Sequence, residues 1–359
     1  MKAPKDGYRV AVVGASSLLG KELLNVLEEH PFPFSRLVTF SDEENEDPEL
    51  PILDLREGLN PLVPEENVTS GELDFAFVAA RLREMPSFLD PAQASGFGQP
   101  AFIVDLGAAR GDEKATQRPI YPLPEVVSVP FLDQHFPVRG REAYGEDRTY
   151  ISAHSATIVI SSLLLRLAEH FPLKSAVADV FVSVSEMGSR GIEELQKQTL
   201  NLLNFQKVPC KVFGSQLAFN LLPRSGGTAG REFLALESHL REQIKGYLQG
   251  RVPLPALRLI QVPAFYSLAV SLFVETVQPV APEKAGEALQ GERVQVRRSS
   301  QDSPNLIEVA GSDKILVDRV TADPSHPTGL WIWAVADNLR LAATNAVDVA
   351  GRLCHRIAL

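Results

Sequence analysis

The segment YRVAVVGASSLLG, residues 8–20, combines a short strand, a glycine-containing loop and the beginning of a helix. Its apolar, β-branched first half predicts a strand over Tyr8–Val13, and the amphipathic run that follows predicts a helix over Leu18–Glu29. Gly14 permits a tight turn, and Gly20 permits close packing of the helix on the strand. Backbone N–H groups at the start of such a helix can bind a pyrophosphate. The segment therefore predicts a Rossmann-type, dinucleotide-binding fold.

The loop is an incomplete version of the dinucleotide fingerprint. It holds two of the usual three glycines, and Ser17 stands where the backbone should approach a phosphate most closely. A strand–loop–helix unit that binds nothing therefore stays open as the alternative.

Three further runs in the first 150 residues have the continuous apolar character of parallel strands that are buried on both faces. They are residues 37–40, 74–80 and 101–105. Ligands of such sheets bind at the carboxyl ends of the strands. The candidate contact segments are residues 14–20, 41–42, 79–81 and 105–110.

Beyond residue 150 the pattern changes to alternating strands mixed with helical stretches. Strands are predicted at residues 178–185, 258–262, 268–275 and 293–297, and helices at residues 191–205 and 232–248. This predicts an α+β second domain with a largely antiparallel sheet. A strand at residues 330–336 and a helix at residues 339–357 then return to the first domain. The predicted division is residues 1–150 with 335–359, and residues 151–334.

Composition favours a cytoplasmic globular protein of about two domains. The chain has 359 residues, 45% of them hydrophobic, and contains no apolar run of about 20 residues and no charged-then-apolar leader. A net charge of −10 argues against nucleic acid and anionic membranes as partners. Cys210 and Cys354 give no disulfide framework, and the seven histidines form no ligand cluster, so no metal is expected.

Eight segments, in order and spacing, resemble the aspartate-semialdehyde dehydrogenases, and within that family the Usg-type paralogues. They are the loop at 14–20, IVDLGAAR (103–110), YPLPEV (121–126), SAHSAT (152–157), FVSVSEMGSRGIEEL (181–195), FGSQLAFNLLP (213–223), QVPAFYSLAV (261–270) and WAVADNLRLAATNAV (333–347). The resemblance covers nearly the whole chain. It implies a Rossmann-type NAD(P)-binding domain, an α+β catalytic and dimerisation domain of the semialdehyde dehydrogenase type, and a homodimer.

The resemblance also implies a chemistry whose groups this chain lacks. Members of the family attack an aldehyde with a cysteine thiolate, use a histidine as acid/base and pair an arginine with the substrate carboxylate. Those positions fall on Ser155, Leu268 and Gln261. Serine needs a dedicated base to act as a nucleophile, leucine carries no proton, and glutamine has no charged fork. Three missing roles predict the loss of the family's activity.

The surroundings of Ser155 favour a structural role for its hydroxyl. We expect Ser155 to cap a helix beginning near Ile158, because serine is a good N-cap residue. His154 is adjacent in sequence, and neighbouring side chains at a strand–helix junction point in different directions, so the two do not form a catalytic dyad. His239 is expected to face solvent from a helix, and we assign it no role.

For a cofactor, the resemblance assigns contacts to Gly14, Ser16, Ser17, Leu18 and Gly20, with Ser16 keeping a hydroxyl near the phosphates. The acidic run at 42–47 would repel the 2′-phosphate of NADP, whereas Asp42 could accept hydrogen bonds from a ribose diol, so NAD is favoured over NADP. The alternative is that this run is a solvated loop and that the protein binds no dinucleotide. Asn345 matches an asparagine that contacts nicotinamide, or else satisfies a helix interface. Arg110 matches an arginine that holds substrate or phosphate.

Two functions of different classes follow from these observations. The first is a non-catalytic homologue that binds a dinucleotide, another small molecule or a protein. The second is an active NAD(P)-dependent oxidoreductase that acts on an aldehyde or acyl phosphate such as aspartate semialdehyde. A serine-based acyl-transfer enzyme would need a base and an oxyanion hole that the sequence does not show.

Overall fold

The structure is a computed structural model that describes residues 7–30, 32–41, 73–80, 85–89, 100–107, 127–137, 148–297 and 302–357. Its first sheet has six strands in the order β2-β1-β3-β4-β6-β5, and all of their pairings are parallel. The strands are β1 (Tyr8–Val13), β2 (Phe34–Phe40), β3 (Phe75–Val78), β4 (Phe102–Asp105), β5 (Val127–Ser128) and β6 (Thr149–Ser152). The predicted Rossmann-type sheet is thus confirmed.

Helices cover one face of this sheet. The helix α1 (Leu18–Glu29) follows β1, the short helix α2 (Pro130–Asp133) follows β5, and the last helix α7 (Asn338–Ile357) packs beside α1. The shared core contains buried side chains from β1, β3, α1 and α7, among them Val12, Leu23, Phe75 and Ala346. The C-terminal helix therefore belongs to the core of the first sheet.

The second sheet has seven strands in the order β10-β11-β13-β9-β7-β8, with β12 paired to β13. The strands are β7 (Leu173–Val182), β8 (Ala256–Gln261), β9 (Leu268–Thr276), β10 (Val294–Val296), β11 (Ile315–Val317), β12 (Thr321–Asp323) and β13 (His326–Ala336). Four strand pairs are antiparallel, while β7–β8 and β10–β11 are parallel. The sheet is therefore largely antiparallel, as predicted.

Four helices accompany this sheet: α3 (Ser155–His170), α4 (Gly188–Leu203), α5 (Gly230–Leu248) and α6 (Pro282–Leu289). Buried residues of α3 and α5 share a core with one face of β7, β9 and β13. The same core includes Ile151 and Ala153, which connect the first sheet to α3. The turn between β6 and α3 consequently lies where the two sheets meet.

A second connection between the sheets runs from β13 into α7. Leu268 at the start of β9 pairs with Val182 on one side and with Ala336 on the other. Val182 also pairs with Gln261 at the end of β8. These residues form one row across the sheet, so Gln261 and Leu268 lie on either side of the same β7 residue. No helix in the described part of the chain is long and apolar enough to cross a membrane.

Candidate functional site

The glycine loop is built as the sequence predicts. Gly14 has a φ of +80°, and a Cβ placed there would lie 2.7 Å from atoms of Ala80 after β3. A Cβ at Gly20 would overlap the carbonyl oxygen of Gly14. The loop therefore approaches both α1 and the end of β3 as closely as the backbone permits. A residue other than glycine at position 14 or 20 would push the loop outward.

Ser17 holds the start of α1 rather than blocking it. Its Oγ accepts a hydrogen bond from the N–H of Gly20 (3.0 Å) and donates one to the carbonyl of Gly14 (2.7 Å). The N–H of Ser16 donates to Oγ of Ser41, at 3.1 Å. Within the described residues, the N–H groups of Leu18 and Leu19 are the donors of this helix start that no protein group satisfies. Two donors at a half-open helix N-terminus suit a phosphate.

Of the other residues predicted to bind cofactor or substrate, Asn345 lies within the described structure. Asp42 and Arg110 lie outside the described residues. Asn345 is fully buried on α7, and its Nδ2 donates to the carbonyl of Ser128 (2.8 Å) and to Oγ of Ser152 (2.9 Å). This is the helix-interface role that the sequence left open. Its Oδ1 has no partner among the described groups, so an acceptor next to β6 stays available to a donor.

Ser155 does not cap α3, contrary to the prediction. The helix begins at Ser155 itself, and His154 is its N-cap: Nδ1 of His154 accepts a hydrogen bond from the N–H of Ala156, at 3.1 Å. The prediction is wrong because the extended residue before the helix is His154, whose ring accepts from the N–H of the second helical residue. Ser155 is 1% exposed, and its hydroxyl has no hydrogen-bond partner in the described structure.

His154 has both ring nitrogens engaged. Because Nδ1 accepts from Ala156, the proton of the neutral ring lies on Nε2, which is 3.2 Å from Oε2 of Glu186. The other carboxylate oxygen of Glu186 accepts from Nδ2 of Asn338, at 2.6 Å. His154 therefore cannot accept a proton from Ser155 in this arrangement, which leaves the serine without a base on the adjacent residue.

Gln261 and Leu268 are equally committed to the fold. Gln261 is fully buried, and its Nε2 donates to the carbonyl of Val182 at 2.7 Å, while its main chain exchanges two hydrogen bonds with Leu222. Leu268 is 2% exposed and belongs to the core that includes α3. At the two positions that the resemblance assigns to a substrate-binding arginine and an acid/base histidine, the structure has a buried amide and a core aliphatic side chain.

His239 does not face solvent as expected. It is half-buried on α5, and its Nε2 lies 3.1 Å from Nε2 of Gln243, one turn further on. Gln243 in turn accepts from the N–H of His154 (3.2 Å) and from Oγ1 of Thr157 (3.0 Å) with its Oε1. Its amide nitrogen must therefore donate to a neutral His239. Burial, and secondarily the nearby His154, lower the pKa of His239 to about 4.

The sequence reasoning missed the polar side chains that organise this region, namely Glu186, Gln243 and Asn338. Glu186 stands in the FVSVSEMGSRGIEEL segment and Asn338 in WAVADNLRLAATNAV, so both lie in segments that carry the resemblance. Their contacts join a turn, α3, α5 and α7, which are far apart in sequence. No local pattern indicates such contacts. Over the described ranges, no group of three or more potential ligands could hold a metal ion.

Comparisons with known proteins agree with this architecture. The model of the semialdehyde dehydrogenase NAD binding domain matches residues 9–129, and that of the semialdehyde dehydrogenase dimerisation domain matches residues 164–341. An aspartate-semialdehyde dehydrogenase of Aquifex aeolicus is 29% identical over 353 residues, or 96% of this chain and 97% of the relative. The USG-1 protein homolog of Pseudomonas aeruginosa is 25% identical over 350 residues, or 94% of this chain and 95% of the relative.

The fold is also that of solved relatives. The crystal structure of aspartate semialdehyde dehydrogenase II from Vibrio cholerae matches with a TM-score of 0.75 at 24% identity, and the match covers 97% of this chain and 99% of that one. The two family models match successive parts of the chain, the first sheet and then the second, and the similarity extends over nearly the full length of the relatives. The chain therefore belongs to the aspartate-semialdehyde dehydrogenase family.

Proposed function

We propose that this protein is a non-catalytic member of its family that keeps the dinucleotide-binding domain. The observation that carries the proposal is the hydrogen bonding of two residues in the β6–α3 turn, Ser155 and His154. The Ser155 hydroxyl is buried without a partner, and both ring nitrogens of His154 are engaged elsewhere.

Thiolate chemistry explains why this combination is unproductive. A cysteine thiol ionises close to neutral pH and is a strong nucleophile, whereas a serine hydroxyl attacks only when a base removes its proton. The acid/base position holds the buried Leu268, and the substrate-carboxylate position holds Gln261, which already donates to Val182. The chain therefore lacks the side chain needed for nucleophilic attack, the one needed for proton transfer and the one needed to bind the substrate carboxylate. Loss of cooperating groups removes nearly all of the rate advantage of such a site.

The glycine loop supports dinucleotide binding. Gly14 and Gly20 allow close approach, the N–H groups of Leu18 and Leu19 are available for a phosphate, and Ser16 lies half-buried beside them. The buried, unpartnered Oδ1 of Asn345 supports a donor such as the nicotinamide carboxamide near β6. A bound nicotinamide cofactor supplies hydride-transfer chemistry in enzymes that use it. We infer NAD rather than NADP from the acidic run that follows Ser41.

Two measurements on the purified protein test the proposal. Reduction of NAD and NADP is followed with aspartate semialdehyde and inorganic phosphate, and binding of both dinucleotides is titrated by calorimetry at fixed salt. We expect no turnover above background and micromolar binding of NAD. Turnover of the unmodified protein would overturn the non-catalytic assignment. If neither dinucleotide binds, the first domain is a structural remnant.

A residual oxidoreductase is the second candidate function. The observation in its favour is that a relative named aspartate-semialdehyde dehydrogenase aligns with 96% of the length of this chain, at 29% identity. The turnover assay separates the two candidates directly, since only an oxidoreductase converts the dinucleotide.

We also propose a homodimer, because the model matched by residues 164–341 is that of a dimerisation domain. Cys210 and Cys354 are both free, which supports a reducing compartment such as the cytoplasm.

A further inference from the structure

A cavity of about 410 Å³ that opens to solvent lies where the first domain meets the second. It is lined by His30, by residues 310–313 and by Arg340. His30 directly follows α1, residues 310–313 precede β11 of the second sheet, and Arg340 lies in the first turn of α7. Small-ligand sites typically have volumes of about 300–1,000 Å³ and often lie between domains. The cavity therefore has the size and the position of a ligand site.

The cavity is separate from the proposed dinucleotide site. The glycine loop leads into the first residue of α1, whereas His30 follows the last residue of that helix. With its 12 residues, α1 is about 18 Å long. A ligand of this cavity would therefore bind at the opposite end of α1 from the phosphates of a dinucleotide.

Asp313 supplies the cavity wall with a carboxylate that accepts no hydrogen bond from any described residue. Its ion-pair partners are Nζ of Lys314 at 3.5 Å and Nη1 of Arg293 at 3.7 Å, and neither contact has the geometry of a hydrogen bond. The Asp313 side chain is only 24% exposed. A partly buried carboxylate without hydrogen-bond donors is unfavourable. Asp313 can therefore accept a hydrogen bond from a cationic group of a ligand.

Two arginines beside the same loop have guanidinium N–H groups without an acceptor. Nε of Arg340 and Nη1 of Arg293 are buried and have no hydrogen-bond partner in the described structure. The side chains are 11% and 8% exposed; Arg340 pairs with Glu22 and Glu29 through its other nitrogens, and Nη2 of Arg293 donates to Asp348 at 2.7 Å. Buried donors are nearly always satisfied, so these unpaired groups indicate an acceptor that the chain itself does not supply.

The imidazole of His30 is a further donor of the wall that is not engaged. It forms no hydrogen bond with a described residue. The neighbouring Glu29 side chain is 59% exposed, so its pair with Arg340 is a surface pair that contributes little and that a ligand carboxylate can replace. The wall therefore offers donors from His30 and Arg340 together with an acceptor from Asp313.

Asp337 holds the loop and the helix of this wall together. Its Oδ2 accepts from the N–H of Gly311 at 2.8 Å, and its Oδ1 accepts from the N–H groups of Leu339 and Arg340, at 3.0 and 2.9 Å. Gly311 has a φ of +74°, and a Cβ placed there would meet nothing within 4 Å, so the space beside it is open. The two parts of the wall are thus fixed relative to each other before a ligand binds, which lowers the entropy cost of binding.

We propose that this cavity binds a free α-amino acid. The ammonium group of the ligand lies at Asp313, and its carboxylate accepts hydrogen bonds from His30 and from the guanidinium of Arg340. A ligand with a single charge fits less well, because an anion meets the carboxylate of Asp313 and a cation meets the two arginines. A zwitterion satisfies groups of both signs with charge-assisted hydrogen bonds. The cavity also has room for the side chain of the ligand and for bridging waters.

Thermal unfolding of the full chain with each proteinogenic amino acid in turn tests the proposal, and calorimetric titration follows for those that stabilise the protein. We expect at least one amino acid to raise the Tm by about 1–2 °C at about 10 mM, as a Kd of about 1 mM would do. The N-acetyl and amide derivatives of that amino acid each lack one of its two charges. Each derivative should bind about 10-fold more weakly or not at all.

Two variants locate the site. Asp313→Asn keeps the shape of the side chain and removes its charge, and it should weaken binding about 10-fold. Asp302→Asn is the matched control, because it removes one carboxylate from an exposed position outside the cavity, and it should bind like the wild type. His30→Ala is the second variant, which removes a donor and should also weaken binding if Asp313→Asn does not fold.

The proposal fails if no amino acid stabilises the protein, or if the derivatives bind as tightly as the amino acid itself. It fails equally if Asp313→Asn and His30→Ala keep the affinity of the wild type, because the ligand would then bind elsewhere. All titrations are made without a dinucleotide, so a negative result leaves the proposed binding of NAD untouched.

Discussion

The imidazole of His154 and the carboxylate of Glu186 form a buried pair whose members are only 5% and 2% exposed, with Nε2 and Oε2 3.2 Å apart. The pair joins the cap of α3 to the turn Val184–Met187, and through Asn338 it reaches the first residue of α7. A buried carboxylate is tolerated only when hydrogen-bond donors surround it. Glu186 therefore ties together the three segments that meet between the two sheets.

Replacing Glu186 should destabilise the protein strongly. Glu186→Ala removes the acceptor of Nε2 of His154 and one of the two acceptors of Nδ2 of Asn338, which keeps Oγ of Ser185. The loss of these buried hydrogen bonds should cost about 3 kcal/mol of the free energy of unfolding. Urea denaturation followed by tryptophan fluorescence measures the loss. Glu242→Ala is the control, because the Glu242 side chain is 71% exposed and forms a surface pair with Lys245. Equal midpoints for the two variants would contradict the role given to Glu186.

The stability of the fold should fall as the pH drops below about 6.5, and His239 should account for part of the fall. The pKa of His239 is lowered to about 4 in the folded chain, so between pH 6.5 and 4 the unfolded chain binds more protons than the folded chain. The contribution of His239 to the free energy of unfolding is complete above pH 6.5 and is lost progressively towards pH 4. Its upper limit is about 3 kcal/mol.

Denaturation of His239→Gln and of the wild type at pH 7.5, 5.5 and 4.5 isolates this contribution from that of other groups. The variant should lose less stability on acidification than the wild type does. His326→Gln is the control, because the His326 side chain is 64% exposed. If both variants keep the full wild-type pH dependence, His239 is not the group that titrates.

Restoring the thiol alone should not restore the family's chemistry. Ser155→Cys should give no phosphate-dependent oxidation of aspartate semialdehyde, because Leu268 and Gln261 still occupy the positions that the resemblance assigns to the acid/base and to the residue that binds the substrate carboxylate. The buried position should also make the new thiol slow to react with a thiol-specific reagent in the native protein, compared with the exposed Cys210. Measurable turnover of this single variant would show that the other two positions are not limiting.

Gly20→Ala should abolish dinucleotide binding and lower stability. The added methyl group would overlap the carbonyl oxygen of Gly14 and push the loop away from the start of α1. Calorimetric titration with NAD and thermal unfolding provide the two readouts. Gly351→Ala is a matched control in α7, where a Cβ meets nothing within 4 Å, and it should be neutral or stabilising by up to about 1 kcal/mol. Unchanged NAD affinity in Gly20→Ala would rule out the loop as the phosphate site.

Elements with strong local periodicity are predictable from this sequence. The strand Tyr8–Val13 and the helix Leu18–Glu29 begin and end at the predicted residues. The strand predicted at 178–185 instead occupies Leu173–Val182, because its last residues turn into Val184–Met187. That turn is what presents Glu186 to His154. The error in the strand boundary thus falls on the residues that shape the site.

The site itself is predictable only in its composition. Identifying Ser155, Gln261 and Leu268 requires only an alignment of motifs, but their surroundings depend on contacts between distant elements. A helical pattern places His239 on α5 without indicating that Gln243 and His154 lie beside it. Likewise, serine is the usual cap in such a sequence, and only the backbone of His154 shows that the histidine caps α3 instead.

The cap formed by His154 has an evolutionary consequence for its neighbour. Since the histidine caps the helix start, the hydroxyl of Ser155 is not needed as a cap, and burial limits residue 155 to small side chains. Serine and cysteine codons are one base apart, so a nucleophile could have been lost there, or gained, without the fold responding. A change between serine and cysteine at position 155 therefore leaves the cap of α3 in place.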